Sequence, residues 1–353
     1  MKYLNLQILR AFAAFSVVLH HVTDMLENYI ANIDTGIYFF HGGVDIFFVI
    51  SGFVMCAAVE SRPQSPRAFL AARLARIVPI YWLLTGVAAL ALLAGLHLFG
   101  WPGFSWHQLI GSLLFFPTFQ DGHFLKPILF VGWTLNFEML FYVLFAISLF
   151  AKSIQVQRLL VVAMLIGLVL ANQIIGGELL SIWGHAMVLE FLGGMAVWTL
   201  LKKWTPTRVQ SASAIVAGAI AFPGAQLFFT VETLSANPQM FFGVPAALLV
   251  LGAAGLEQHG LFLKNKPMLL LGDASYSLYL VHIFVFAAVG KASVVIGLNQ
   301  SFSGLVITIA AAVGGSLVAS LLFHLFVERP LNQSTRSLLS RRPARTMAVP
   351  SGA

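Results

Sequence analysis

The chain has 353 residues, of which 59% are hydrophobic and only 9% charged, against about 25% charged in a soluble domain. That excludes a soluble enzyme and indicates an integral helical membrane protein. The net charge of +7 does not point to nucleic acid, because the basic residues cluster in short loops between apolar runs, which is the positive-inside pattern. The single cysteine, Cys56, excludes an intramolecular disulfide and a cysteine-based metal cluster.

The first apolar run, 6–24, is interrupted by Arg10 and by the adjacent pair His20 and His21. Arg10 splits the run and no small-residue cleavage site follows, so this helix is expected to remain in the mature protein. Lys2 and Arg10 place the N-terminus in the cytoplasm, and the exit loop holds Asp24, Glu27 and Asp34. A second span, 41–59, returns to a basic loop with Arg62, Arg67, Arg73 and Arg76. Ser65 and Pro66 read as the N-cap and first position of a juxtamembrane helix, which Pro79 ends or kinks before a third span at 80–99.

The stretch 101–121 is awkward: its apolar part, 109–119, is too short to cross a bilayer and stops at Pro117. It reads as re-entrant or interfacial. Further spans are predicted at 130–150, 159–175, 187–201, 212–231, 240–256, 268–289 and 303–326. This topology puts Lys152 and Arg158, then Lys202, Lys203 and Arg208, then Lys264 and Lys266, and finally Arg329, Arg336, Arg341, Arg342 and Arg345 on one side. The expectation is an all-α bundle of ten transmembrane helices with both termini cytoplasmic. Residues 1–330 form the membrane domain, closed by Pro330 as a natural stop, and 331–353 form a basic cytoplasmic tail expected to be disordered.

Polar groups inside the spans are few. Arg10 and His21 are eleven residues apart, three helical turns plus about 20°, so they share one face with an axial separation of about 16 Å; His20 is about 80° off that face. Such a stripe is costly beside lipid and should face protein or a wet cavity, unless the two side chains snorkel to opposite surfaces. Asp45, early in the second span, either pairs with a neighbouring helix or orients a histidine of the first helix. Glu138 lies well inside the fourth span, at a depth like that of His21, so the two are expected to share a cavity in which a carboxylate supports an imidazole base. Arg73 and Arg76, at i and i+3, point the same way and suit either a phosphorylated cytosolic ligand or anionic lipid headgroups. Ser275, Tyr279 and His282 fall at i, i+4 and i+7 and form one polar face. No second ligand at matching spacing accompanies His282, so a core histidine is expected there and no metal.

Together these pieces resemble the acyltransferase-3 family of bacterial integral membrane O-acyltransferases. The resemblance rests on Arg10…His21, the GVDIFFVISGF stretch at 43–53, Arg73-Leu-Ala-Arg76, Trp133-Thr-Leu…Glu138, the DASYSLYLVH stretch at 273–282 and Glu328-Arg-Pro330, which cover nearly the whole chain. The first-helix and Trp133-Thr-Leu…Glu138 elements look most like the short, ExoZ-like members that acetylate exopolysaccharides. The resemblance implies a bacterial cytoplasmic-membrane enzyme that takes an acyl group, acetyl above all, from cytoplasmic acyl-CoA. It implies as acceptor a sugar hydroxyl on a cell-surface or lipid-linked glycan. Carried over, His21 is the catalytic histidine with Arg10 its partner and Glu138 and Asp45 in support. Arg73 and Arg76, with Ser275 and Tyr276, contact the donor, and Trp133, Tyr279 and His282 the acceptor. His21 either deprotonates the acceptor or carries the acyl group itself. The alternative from another class is a transporter or flippase of an amphiphilic glycan or lipid, in which the same polar residues line a permeation path.

Overall fold

The computed structural model describes residues 3–29, 37–96 and 104–340. Of the residues singled out above, Lys2, Asp34, Arg341, Arg342 and Arg345 lie outside them, as do the end of the expected span 80–99 and the start of the stretch 101–121. The elements in chain order are α1 (Leu4–Tyr29), α2 (Gly43–Ser61), α3 (Pro66–Leu93), α4 (Trp106–Leu114), a hairpin of β1 (Thr118–Gln120) and β2 (His123–Leu125), α5 (Trp133–Ser148) and α6 (Ile154–Ile174). There follow α7 (Glu178–Trp183), α8 (Leu189–Lys203), α9 (Arg208–Phe228), α10 (Val231–Ala236) and α11 (Val244–Gln258). The last four are α12 (Lys266–Asp273), α13 (Ser275–Val295), α14 (Phe302–Phe323) and α15 (Arg329–Ser340).

Among the described residues nine helices are long and apolar enough to cross a membrane: α1, α2, α3, α5, α6, α9, α11, α13 and α14. The tenth expected span, 187–201, is α8, which with its leading turn Ala186–Val188 is about 28 Å long. It falls short of the nine in composition, because it carries Glu190, Lys202 and Lys203. It lies against α2 at very close range: a methyl on Gly194 would come within 1.9 Å of the Val49 carbonyl oxygen, and one on Gly52 within 2.0 Å of the Phe191 carbonyl oxygen. Small residues let the two backbones meet. Phe141 then stacks on Phe191 at 4.2 Å, and Phe48 tilts against it at 4.7 Å.

At one end of the bundle the Glu60 carboxylate of α2 collects Arg158 of α6 at 2.9 Å, Lys202 of α8 at 3.3 Å and the Trp198 indole N–H at 2.7 Å. Two basic loops that charge pattern put on one side thus meet at one acid. The stretch 109–119 runs from within the nine-residue α4, about 13 Å long, through a left-handed Phe115 into the first strand of the hairpin. Nothing there is long enough to cross, and Trp106, Ile110 and Leu114 are exposed, as in a helix lying at an interface.

Three expectations are corrected. The juxtamembrane helix and the third span are one helix, α3, with Ser65 capping Ala68 N–H and Pro79 inside it. A proline removes only its own donor, here leaving the Ala75 carbonyl four residues back without its helical partner, and a bundle tolerates this; two residues before the proline the Ile77 carbonyl accepts the Tyr276 hydroxyl at 2.9 Å. The ninth span begins at Ser275 instead of 268, because Ala274 (φ −83°, ψ 3°) interrupts the helix. Upstream of it, α12 is tied to α1 by the Gln7 amide, which donates to Asp273 at 2.9 Å, and by Gly272, where a methyl would sit 2.0 Å from the Gln7 carbonyl oxygen. Finally, α14 does not stop at Pro330. A π-helical turn, His324–Glu328, carries it into α15 as far as Ser340, so the first residues of the expected tail are helical. Pro330 comes just after that π-helical turn, a local adjustment of the kind that lets a continuous helix take up a proline.

Candidate active site

The first turn of α1 is capped from another helix. The Glu257 carboxylate of α11 supplies one, accepting from Leu4 N–H at 2.8 Å and Asn5 N–H at 3.0 Å, where the orphan donors and the helix dipole both favour an anion. With α1 fixed at that end, its polar stripe meets the polar face of α13. Arg10 donates to the Ser275 hydroxyl at 2.9 Å. Three turns on, His21 Nδ1 stands 3.2 Å from His282 Nε2. Residues 10 and 21 of one helix thus find residues 275 and 282 of the other, and both predicted faces are the same interface seen from its two sides.

The histidine pair has one consistent protonation pattern. His21 Nδ1 is 2.9 Å from the Val17 carbonyl and His282 Nδ1 is 2.9 Å from the Leu278 carbonyl. A carbonyl only accepts, so each Nδ1 carries the proton in the neutral ring. His282 Nε2 then offers a lone pair to the His21 Nδ1–H, and His21 Nε2 is left as the basic nitrogen. The Asp24 carboxylate lies 4.0 Å from it, and the Phe130 ring packs on the imidazole at 5.3 Å. Both histidines are buried.

A cavity of about 100 Å³ is lined by Arg10, Arg76, Ser275, Tyr276, Glu138 and Tyr142, together with Tyr279, Thr134 and Phe47. The Glu138 carboxylate accepts from the Tyr142 hydroxyl and, at 3.3 Å, from Ser51. It therefore lies with the two arginines, and His21 is absent from the lining. Glu138 and His21 are expected to share a cavity; this one takes in Glu138 but not His21. At its edge stands Tyr279, whose hydroxyl donates to the Val131 carbonyl at 2.6 Å and lies 2.8 Å from the Thr134 hydroxyl, about one helical turn from His282, the neighbour of His21. Arg73 and Arg76 also part company. Arg76 lines the cavity, whereas the Arg73 guanidinium lies over the Phe69 ring at 5.8 Å.

Asp45 faces neither first-helix histidine. Its carboxylate is 4.0 Å from His41 Nδ1 and fully buried, with Glu190 of α8 beside it. The His41 ring stacks on Tyr38 at 5.1 Å and on Trp133 at 6.3 Å, and meets His20 edge-on at 5.3 Å. Trp133 therefore belongs to an aromatic cluster at the His21 end, and His20 turns into that cluster while His21 turns to α13. Sequence reasoning missed His41, Ser51, Thr134, Tyr142 and Glu190. Glu190 was visible as a lone acid in an apolar run, and Tyr142 as the i+4 neighbour of Glu138; Ser51 and Thr134 lie inside the stretches 43–53 and Trp133-Thr-Leu that carry the resemblance, and His41 stands two residues before the first of them.

The family model described as "Acyltransferase domain" matches residues 3–324. "Exopolysaccharide production protein ExoZ" of Rhizobium meliloti (strain 1021) is 37% identical over 84% of this chain and 90% of its own. "Acyltransferase MdmB" of Streptomyces mycarofaciens is 26% identical over 97% of this chain and 94% of its own. No solved structure matches the chain. The matched domain takes in every residue that lines the cavity and both histidines of the pair, and on that match the protein belongs to the membrane acyltransferase family that this domain defines.

Proposed function

We propose that the protein is an acyl-CoA-dependent O-acyltransferase of the bacterial cytoplasmic membrane, with both termini in the cytoplasm. It moves an acyl group, acetyl above all, to a sugar hydroxyl of a cell-surface or lipid-linked polysaccharide. The observation that carries this reading is the stacking of two chemistries along α1. A cavity bearing two guanidinium groups lies at one level and a histidine with a free basic nitrogen at the next. Arginine suits phosphate and carboxylate oxygens through its planar fork, so Arg10 and Arg76 fit an anionic donor entering from the Glu60 end of the bundle. Tyr276 and Ser275 flank them on α13.

At the other level His21 Nε2 takes the acceptor proton as the oxygen attacks the thioester carbonyl. The C–O bond forms, the C–S bond breaks, and the proton passes to the departing thiolate. The imidazolium formed on the way is held by the Val17 carbonyl and His282 Nε2, both already placed on Nδ1–H. The Tyr38–His41–Trp133 ring cluster, next to His20, offers the flat faces on which a sugar ring packs. A polysaccharide acceptor is further supported by the exopolysaccharide production named for the rhizobial relative.

The test compares surface glycans and lipid-linked intermediates of a deletion strain and its complement by mass spectrometry. Loss of a mass of one acyl group, restored by the complement and by purified protein with acetyl-CoA, is expected. Accumulated precursor with an unmodified glycan would instead establish the transporter reading.

A further inference from the structure

On the proposed reading, the donor's thioester must reach His21 from a cavity that stops one helical turn short of it. Along α13 the last residue to line the cavity is Tyr279; the next on the same face, about 4.5 Å further along the axis, is His282, which touches His21. Along the approach to α5 the change of compartment takes a single residue. The Phe130 ring packs on His21, and the Val131 carbonyl holds the Tyr279 hydroxyl at 2.6 Å. Thr134 bonds the same hydroxyl at 2.8 Å, and Phe47 meets the Tyr279 ring edge-on at 6.4 Å. Around His21, the residues His282, Phe286 and Val18 are completely buried, and Val17 is nearly so.

We infer that Tyr279 is the gating and specificity-determining residue for the acyl group. Its phenol closes the donor cavity against the His21 compartment, and its ring with Phe47 limits what passes to a short acyl chain. Two hydrogen bonds hold the gate shut, so it opens when the phenol swings from Val131 and Thr134. The packed surroundings of His21 then leave room for a small acyl group and none for a long one. The hydroxyl governs how readily the gate opens, and the ring governs what fits.

The experiment measures kcat/KM with acetyl-, butyryl- and hexanoyl-CoA for the purified full-length protein and its Tyr279→Phe and Tyr279→Leu variants. One methylene more or less in an apolar pocket changes selectivity by about tenfold or more. Tyr279→Leu is therefore expected to raise the butyryl-to-acetyl ratio by at least about tenfold. Tyr279→Phe keeps the ring and is expected to hold the ratio within about twofold while changing kcat for acetyl-CoA. An unchanged ratio in a Tyr279→Leu enzyme that still transfers acetyl overturns the inference. If that variant is inactive with every donor, Phe47→Leu on the facing side of the wall must raise the same ratio, and its failure to do so is equally fatal. A wild-type protein that transfers no acyl group from any acyl-CoA would refute the proposed function itself, which separates the two failures.

Discussion

Replacing His282 by phenylalanine tests the histidine pair directly. The ring shape is kept and the Nε2 acceptor is lost. In the ground state little changes, because the Val17 carbonyl at 2.9 Å still holds the His21 Nδ1–H and so keeps Nε2 as the base. In the transition state the imidazole becomes cationic, and a hydrogen bond to a charged partner contributes about 1.5–3 kcal/mol. At about 1.4 kcal/mol per factor of ten, kcat should fall roughly tenfold to 150-fold. The donor KM should stay where it is, since His282 does not line the arginine cavity. Initial rates of acylated product, by liquid chromatography and mass spectrometry on equal amounts of correctly inserted protein, give both constants. A wild-type kcat would remove His282 from the chemistry. A raised donor KM at unchanged kcat would show that the two compartments are one.

His21→Ala should show no turnover while still binding acyl-CoA in an equilibrium assay, and His20→Ala should remain active, because the His20 ring packs into the Tyr38 and His41 cluster; turnover by the first or a dead second variant would reverse the assignment. Arg76→Ala should raise the donor KM about tenfold or more and Arg73→Ala much less, with lysine at 76 restoring only part. Equal losses at both positions would argue against the cavity as the donor site. Glu257→Ala should lower stability by about 1 kcal/mol or more, read as a lower melting temperature in detergent, and an unshifted melt would dismiss the borrowed cap. Gly194→Ala should cost about 1–3 kcal/mol, because its methyl meets the Val49 carbonyl oxygen at 1.9 Å; full retention of stability in the same melt would mean that α2 and α8 are not so closely apposed.

Much of the bundle was legible because a bilayer leaves so few choices. Apolar runs of the right length must be helices, and the loop cations sort their ends. The same rule marked Arg10, His21, Glu138 and the Ser275–His282 face, since polar groups in such runs must face inward, and the structure turns each of them inward. Partnership was not legible. Depth put Glu138 level with His21, but the cavity takes in only Glu138 of the two, and no spacing within one helix encodes a bond such as that of Tyr279 between α13 and the turn before α5. Helix phase made Arg73 and Arg76 equivalent, while the Phe69 ring one turn back draws the Arg73 guanidinium to itself. Local signals failed where tertiary contacts override them: Pro79 and Pro330 lie within continuous helix, and the interruption at Ala274 has neither glycine nor proline to announce it.

The borrowed cap on α1 has a consequence for the order in which the molecule assembles. α1 leaves the ribosome well before its partners: Glu257 at its start, then Asp273 for Gln7, Ser275 for Arg10 and His282 for His21. Each closes a loop of some 250 residues or more. Until α11 arrives, the first-turn N–H groups of α1 have no carboxylate, and until α13 arrives its guanidinium and imidazole face whatever fills the bilayer. The newborn helix must therefore wait in the membrane with its polar stripe unmatched, and a chain cut before α13 holds every residue of that stripe without an active site.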